Sequence, residues 1–189
     1  MNHATRPSKV AYSVRVLAAL GMLTALSVVL TWLIHFPIFP GAPFLEYDPA
    51  DIPILIGTFT FGPLAGLLLT IAVSAVQAFT VSAQSGVMGF LMHSVATGAM
   101  AVAAGIIYCG RKTRKSALIA LIVGTVTMTV VMIPLNLIIT PLFTGTAIKD
   151  VWGIMFSIII PFNLIKAGLN SVVTFILYEK CSGWLRGKY

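Results

Sequence analysis

The stretch FPIFPGAPFLEYDPADIPILIGTFTF, residues 36–61, decides the fold. It holds Pro37, Pro40, Pro43, Pro49 and Pro53, and three of the chain's five carboxylates, Glu46, Asp48 and Asp51. Long apolar runs lie on both sides. A Pro-rich acidic segment cannot cross hydrocarbon as a helix, because each proline removes a backbone donor and each carboxylate is costly to bury. Residues 36–51 are therefore expected in an aqueous loop between two spans, and a loop of that length more often carries function than not. It is read as the cap over a binding site.

Composition points the same way. The chain is 58% hydrophobic and 9% charged over 189 residues, against about 25% charged in soluble domains. With apolar runs near twenty residues this is a membrane protein, a single bundle with no separate soluble domain. The net charge of +7 is not a nucleic-acid footprint. Arg6, Lys9 and Arg15 precede the first apolar run, Arg111, Lys112, Arg114 and Lys115 fill one short loop, and Lys180, Arg186 and Lys188 form the tail. These positions follow the positive-inside pattern and suit contact with anionic lipid. The two cysteines, Cys109 and Cys181, fall at the basic, cytoplasmic side and are expected as free thiols.

Taken in order, the apolar runs predict an all-α integral membrane protein. Six helices are expected, at about 12–34, 52–61, 64–80, 87–108, 117–143 and 152–178, with both termini cytoplasmic. The first run is longer than the apolar region of a signal peptide and is kept as a span. In it Ala18, Gly21 and Ala25 form a strip of small residues, which lets a second helix approach closely. The strip serves either packing within the bundle or docking of a separate membrane subunit. The second helix, about ten residues before Phe61-Gly62-Pro63, covers only roughly 15 Å. It is expected to be tilted, thinned around or partly unwound. Gly105-IIYC-Gly110-Arg-Lys-Thr superficially resembles a phosphate-binding loop, but it carries an extra Arg and follows a membrane helix, so it is rejected. No nucleotide site or metal cluster is expected.

All five acids read as lying outside the spans or at their ends, which disfavours proton coupling through a buried carboxylate. His93 is left as an isolated helical histidine, ordinarily a packing or hydrogen-bonding residue. The main intramembrane polar group is Asn163 with Lys166, three apart on one helical face, and Asn170 a turn further. Counted from Trp152, Asn163 lies roughly 16 Å and Lys166 about 21 Å along the helix. With no buried acid expected, the ammonium should bond carbonyls freed by Pro161, water or a ligand, and an apolar replacement should be tolerated by the bundle. Asn136 lies at a depth that overlaps this site. The residues outline a pocket open to the outside, with Lys166 and Asn163 as floor, Asn136 as one wall, and Phe44, Leu45, Tyr47 and Asp48 in the lid. A flat, largely apolar ligand with a hydrogen-bonding edge suits it.

At these residues the chain resembles the substrate-binding subunit, or S component, of energy-coupling factor vitamin transporters, in the riboflavin-specific branch. The resemblance rests on FLEYDPADIP (44–53), FGPLAG (61–66), GFLMH (89–93), IPLN (133–136) and IPFNLIK (160–166), in that order over nearly the whole chain. It implies a multi-pass protein of the bacterial plasma membrane that captures riboflavin from outside and is not itself an enzyme. It implies partnership with a transmembrane coupling subunit and two cytoplasmic ATPases, with riboflavin as cargo rather than cofactor. By this resemblance Asn136, Asn163 and Lys166 address the polar edge of the flavin ring. Members of the family dock the coupling subunit through Ala-x-x-x-Ala on the first helix; here Gly21 and Ala25 hold the equivalent spacing. The competing readings are an S component for another vitamin and a stand-alone facilitator. An intramembrane enzyme is set aside because no carboxylate pair, metal cluster, Ser–Lys or Ser–His arrangement appears at helical spacing.

Overall fold

The computed structural model describes residues 14–185, with side chains through Tyr178. Arg6, Lys9, Arg186 and Lys188, and the side chains of Lys180 and Cys181, lie outside the described residues. The chain runs α1 (Val14–Leu33), a two-residue ribbon β1 (Phe36–Pro37) and β2 (Glu46–Tyr47), then α2 (Asp51–Phe61), α3 (Pro63–Phe79), α4 (Gly86–Arg111) and α5 (Arg114–Thr144). The final span is α6 (Ile148–Ile154), a π turn at Met155–Ile159 and α7 (Ile160–Leu185). Four stretches are long and apolar enough to cross a bilayer, namely Val14–Leu33, Gly86–Arg111, Arg114–Thr144 and Ile148–Tyr178. Their outward faces carry Leu26, Val29, Ile122, Val126, Ile138 and Val172, all exposed, as lipid contact requires.

The short helix is the centre of the molecule. In α2 every residue from Asp51 to Phe59 is buried, because α1, α3, α4 and α7 all pack against it. Ile52, Ile54 and Ile56 meet Leu23 of α1, Leu69 and Val73 of α3 and Ala101 of α4. Leu55 and Phe59 turn the other way, onto Met100 and Tyr108 of α4, Leu121 and Met128 of α5 and Ala167 of α7. A helix wrapped by neighbours has no need to match the bilayer thickness. It is an unbroken α-helix of 11 residues, so of the three expected accommodations, tilt, local thinning and partial unwinding, the last does not occur.

The Phe61-Gly62-Pro63 turn follows simple rules. Gly62 takes φ +100°, a conformation that side chains with a Cβ avoid, and Pro63 opens α3 where its missing N–H costs nothing. Next to the turn, a Cβ on Gly105 of α4 would lie 2.8 Å from both Pro63 Cα and Thr58 Cγ2. Glycine there sets how closely α4 approaches the α2–α3 corner. At the basic turn, Thr113 caps α5 by accepting from the Ser116 backbone N–H at 3.1 Å, which fits the preference for hydroxyl caps. Cys109 is exposed and has no disulfide.

Because α2 is short, residues 38–50 descend into the bundle to reach it. Ala42 and Leu45 are buried against Val151, Met155, Ile159 and Phe162 of the last span. Asp51 is the first residue of α2 and fully buried, rather than the end of an exposed loop. The reading that no acid lies inside the bundle is thereby corrected.

Candidate functional site

Three polar residues of α7 stack at successive turns, and the descending loop brings its acids to them. Lys166 Nζ donates to Asp48 Oδ2 at 2.6 Å, with the two side chains 9% and 14% exposed. The lysine is thus paired by an acid of the loop, where sequence reasoning expected carbonyls, water or ligand. Burying either charge alone is costly, so the pair holds the loop against α7. Asn170 completes the joint. Its Nδ2 donates to the Asp48 carbonyl at 3.0 Å and to Asp51 Oδ2 at 2.9 Å, while Oδ1 accepts from the Tyr47 hydroxyl at 3.0 Å. Burial, and then the nearby Asp48 and Asp51 charges, raise the Tyr47 pKa above its ordinary 10.0, so the phenol stays a donor.

Asp51 takes a second hydrogen bond from Thr97 Oγ1 of α4 at 2.9 Å, and His93 Nε2 lies 3.4 Å from its Oδ1. The other ring nitrogen, Nδ1, is 2.7 Å from Ser74 Oγ of α3. A Ser–His–Asp set therefore exists across three helices, although none is visible at helical spacing in the sequence. It is wired the reverse way from a hydrolase triad, which places Nε2 on the serine and Nδ1 on the acid.

Beside this network lies a cleft with mostly apolar walls and a few polar groups, the character of small-molecule sites. Lys166, Asn163 and Phe162 of α7, Phe44 and Leu45 of the loop, and Met128, Met132 and Thr140 of α5 line it. Ser74 and Gln77 of α3, with Met92, His93 and Ala96 of α4, also line it. Asn163 is fully buried; Nδ2 donates to the Ile159 carbonyl at 2.8 Å, and Oδ1 has no partner. A buried acceptor left open beside a lysine donor is a costly arrangement unless a ligand completes it. The π turn lies one turn before Asn163, and there the ladder runs from Ile160 N–H to the Met155 carbonyl. That is where Pro161, with no N–H, enters the helix. Such turns are frequent at functional sites.

Of the residues singled out from sequence, Phe44, Leu45, Asn163 and Lys166 line the cleft. Tyr47 and Asp48 do not; their polar groups are turned to Asn170 and Lys166. Asn136 is buried behind the wall, donating to the Met132 carbonyl and accepting from Thr140 Oγ1, both at 2.9 Å. It bonds within its own helix, and its neighbours Met132 and Thr140 are the residues that reach the cleft. Asp51, Thr97, Ser74 and Gln77 were missed. Asp51 belongs to a Pro-rich acidic run that spacing alone places in a loop, and a hydroxyl or amide in an apolar helix is ordinarily satisfied by the preceding turn. Ala18, Gly21 and Ala25 are all exposed on α1, and a Cβ on Gly21 would meet nothing within 4 Å. The strip is not used for packing among the described residues.

Comparison with known proteins fits this arrangement to a family. The family described as "ECF transporter, substrate-specific component" matches residues 15–178. The chain is 32% identical over 176 residues to riboflavin transporter RibU of Staphylococcus aureus (strain TCH60), covering 90% of this chain and 92% of that protein. It is 27% identical over 184 residues to riboflavin transporter FmnP of Bacillus subtilis (strain 168), covering 91% and 94%. A solved structure described as the S component of a bacterial ECF transporter superposes with a TM-score of 0.77 at 32% identity, covering 91% of this chain and 98% of that one. A match over nearly the whole apolar bundle, with the same overall fold, leaves one conclusion: the chain belongs to the substrate-specific components of ECF transporters.

Proposed function

We propose that this protein binds riboflavin from outside the cell and delivers it through an ATP-driven energy-coupling module. The observation that carries this reading is the cleft itself: largely apolar walls, the Lys166 donor, and the unpartnered buried acceptor Asn163 Oδ1. The pyrimidine edge of a flavin ring presents carbonyl acceptors and one N–H donor, which complement that pair. Phe44, Leu45 and Phe162 supply apolar and aromatic surface for the ring. Tyr47 and Asp48 act as the fasteners of the lid, and Asn136 orients Thr140 at the wall. Three relatives named as riboflavin transporters support the vitamin's identity, and nothing favours a different vitamin or a stand-alone facilitator.

The arrangement in the membrane belongs to the same proposal. Helices α1 to α5 and the α6–α7 run form six spans of a bacterial plasma-membrane protein. Arg111, Lys112, Arg114 and Lys115 lie on the cytoplasmic side with both termini, and the loop end of the cleft faces outward. The exposed strip of Ala18, Gly21 and Ala25 docks a transmembrane coupling subunit, which two cytoplasmic ATPases drive. Protein purified in detergent should carry flavin absorbance in the near-ultraviolet and blue, and should quench added riboflavin fluorescence. A colourless protein that also fails to quench would remove riboflavin as the ligand and leave the fold standing.

A further inference from the structure

The cleft has a second polar wall, on α3 rather than α7, that the recognition of a ring edge does not use. Gln77 and Ser74, three residues apart on one face of α3, both line it, with side chains of such pairs about 5–6 Å apart. The direction of each hydrogen bond there can be traced. Ser27 Oγ donates to the Ala50 carbonyl at 3.0 Å and Thr31 Oγ1 to the Ser27 carbonyl at 3.0 Å. Thr31 Oγ1 has spent its hydrogen, so it accepts from Gln77 Nε2, at 2.7 Å. The Gln77 amide is thereby held one way round. Its Oε1 has no protein donor among the described residues, although the residue is only 5% exposed.

Ser74 is oriented by a similar chain. Its hydroxyl hydrogen can go to the Thr70 carbonyl or to His93 Nδ1, each 2.7 Å away. In neutral imidazole, a hydrogen on Nδ1 would leave the Nε2 lone pair facing the Asp51 carboxylate at 3.4 Å, which is repulsive. Asp51 therefore favours the tautomer with hydrogen on Nε2, and Nδ1 accepts from Ser74. Ser74 Oγ is left as an acceptor. The wall thus presents two acceptors on buried residues, one oriented by Thr31 of α1 and the other by the Asp51–His93 pair.

From this geometry we infer that Ser74 Oγ and Gln77 Oε1 form a subsite for a polyol chain, accepting hydrogen bonds from its hydroxyls. His93 and Asp51 are positioning residues for it. The inference rests on the flavin reading and assigns the ribityl chain to the α3 wall and the ring edge to α7. Removing a hydroxyl's acceptor should matter only for ligands that carry the hydroxyl. The test compares riboflavin with lumiflavin, which has a methyl group in place of the ribityl chain, on the wild type, Ser74→Ala and Gln77→Met.

Each variant should bind riboflavin about tenfold more weakly and lumiflavin within about twofold of the wild type. Retained lumiflavin binding also shows that the variant is folded, and the selective loss in either variant supports the subsite. Two results overturn it: unchanged riboflavin affinity in both variants, or parallel loss of both ligands in both. Failure of the wild type to bind either flavin would instead refute the flavin reading on which the subsite rests.

Discussion

Lys166 is the residue where stability and ligand capture meet, and its replacement gives the sharpest prediction. The ammonium lies 2.6 Å from Asp48 Oδ2 in a pair almost closed to solvent, and it also lines the cleft. Lys166→Met leaves Asp48 without its counter-charge. Removing one partner of a buried pair typically costs ~3–5 kcal/mol. Asp48 keeps the Ala50 backbone N–H on Oδ1 at 3.0 Å and some solvent, which places the expected loss at about 2–3 kcal/mol. The apolar replacement should therefore destabilise the bundle, where the sequence alone predicts that it is tolerated. Asp48→Asn should cost less, about 1–2 kcal/mol, because Lys166 retains the charge of Asp51 nearby. The double variant removes both charges and should recover part of the sum, with a coupling of about 1.5–3 kcal/mol.

The assay is denaturation of the detergent-purified wild type, both single variants and the double variant, with riboflavin quenching titrated on the same samples. Riboflavin affinity should fall about 10–100-fold in Lys166→Met, the worth of roughly one charged hydrogen bond. The double variant should regain stability without regaining that affinity, since the donor to the ligand is still missing. Additive stability costs, with coupling below about 0.5 kcal/mol, would refute the pair as the fastener of the loop.

Gly21→Leu should leave riboflavin binding unchanged, because the added side chain points into open space. It should abolish co-purification with the coupling subunit, and normal assembly would move the docking face elsewhere. Tyr47→Phe removes the hydroxyl bonded to Asn170 and should lower stability by about 1 kcal/mol, read as a lower melting temperature. Since the Tyr47 pKa is raised in the folded state, its contribution is complete below the ordinary value of 10.0 and declines as pH rises from there toward the raised folded value. A wild-type protein that lost this increment on going from neutral pH to pH 9 would contradict the assignment.

Much of the architecture is legible in the residues because a bilayer imposes strict rules. Apolar length marks the long helices, Phe61-Gly62-Pro63 marks the corner between α2 and α3, and the Pro-rich acidic run marks a loop that no span can contain. Asn163 and Lys166 stand out for the same reason, as polar groups where hydrocarbon makes them expensive. Linear spacing says nothing, however, about how far a loop descends. Hydropathy assigns Asp48 and Asp51 to water, whereas the wrapped position of α2 draws them inside to Lys166, Asn170 and His93. Ser74, His93 and Asp51 are separated by 19 residues or more, so no helical period could pair them.

Sequence alone thus determined the membrane class, the positions of the long helices and two polar groups of the cleft, because these follow from transfer of local segments out of water. Which acid neutralises the lysine, which way the glutamine and histidine are turned, and that the shortest helix lies at the centre were decided only by tertiary packing. Each depends on side chains distant in the chain meeting where no water can substitute for a missing partner.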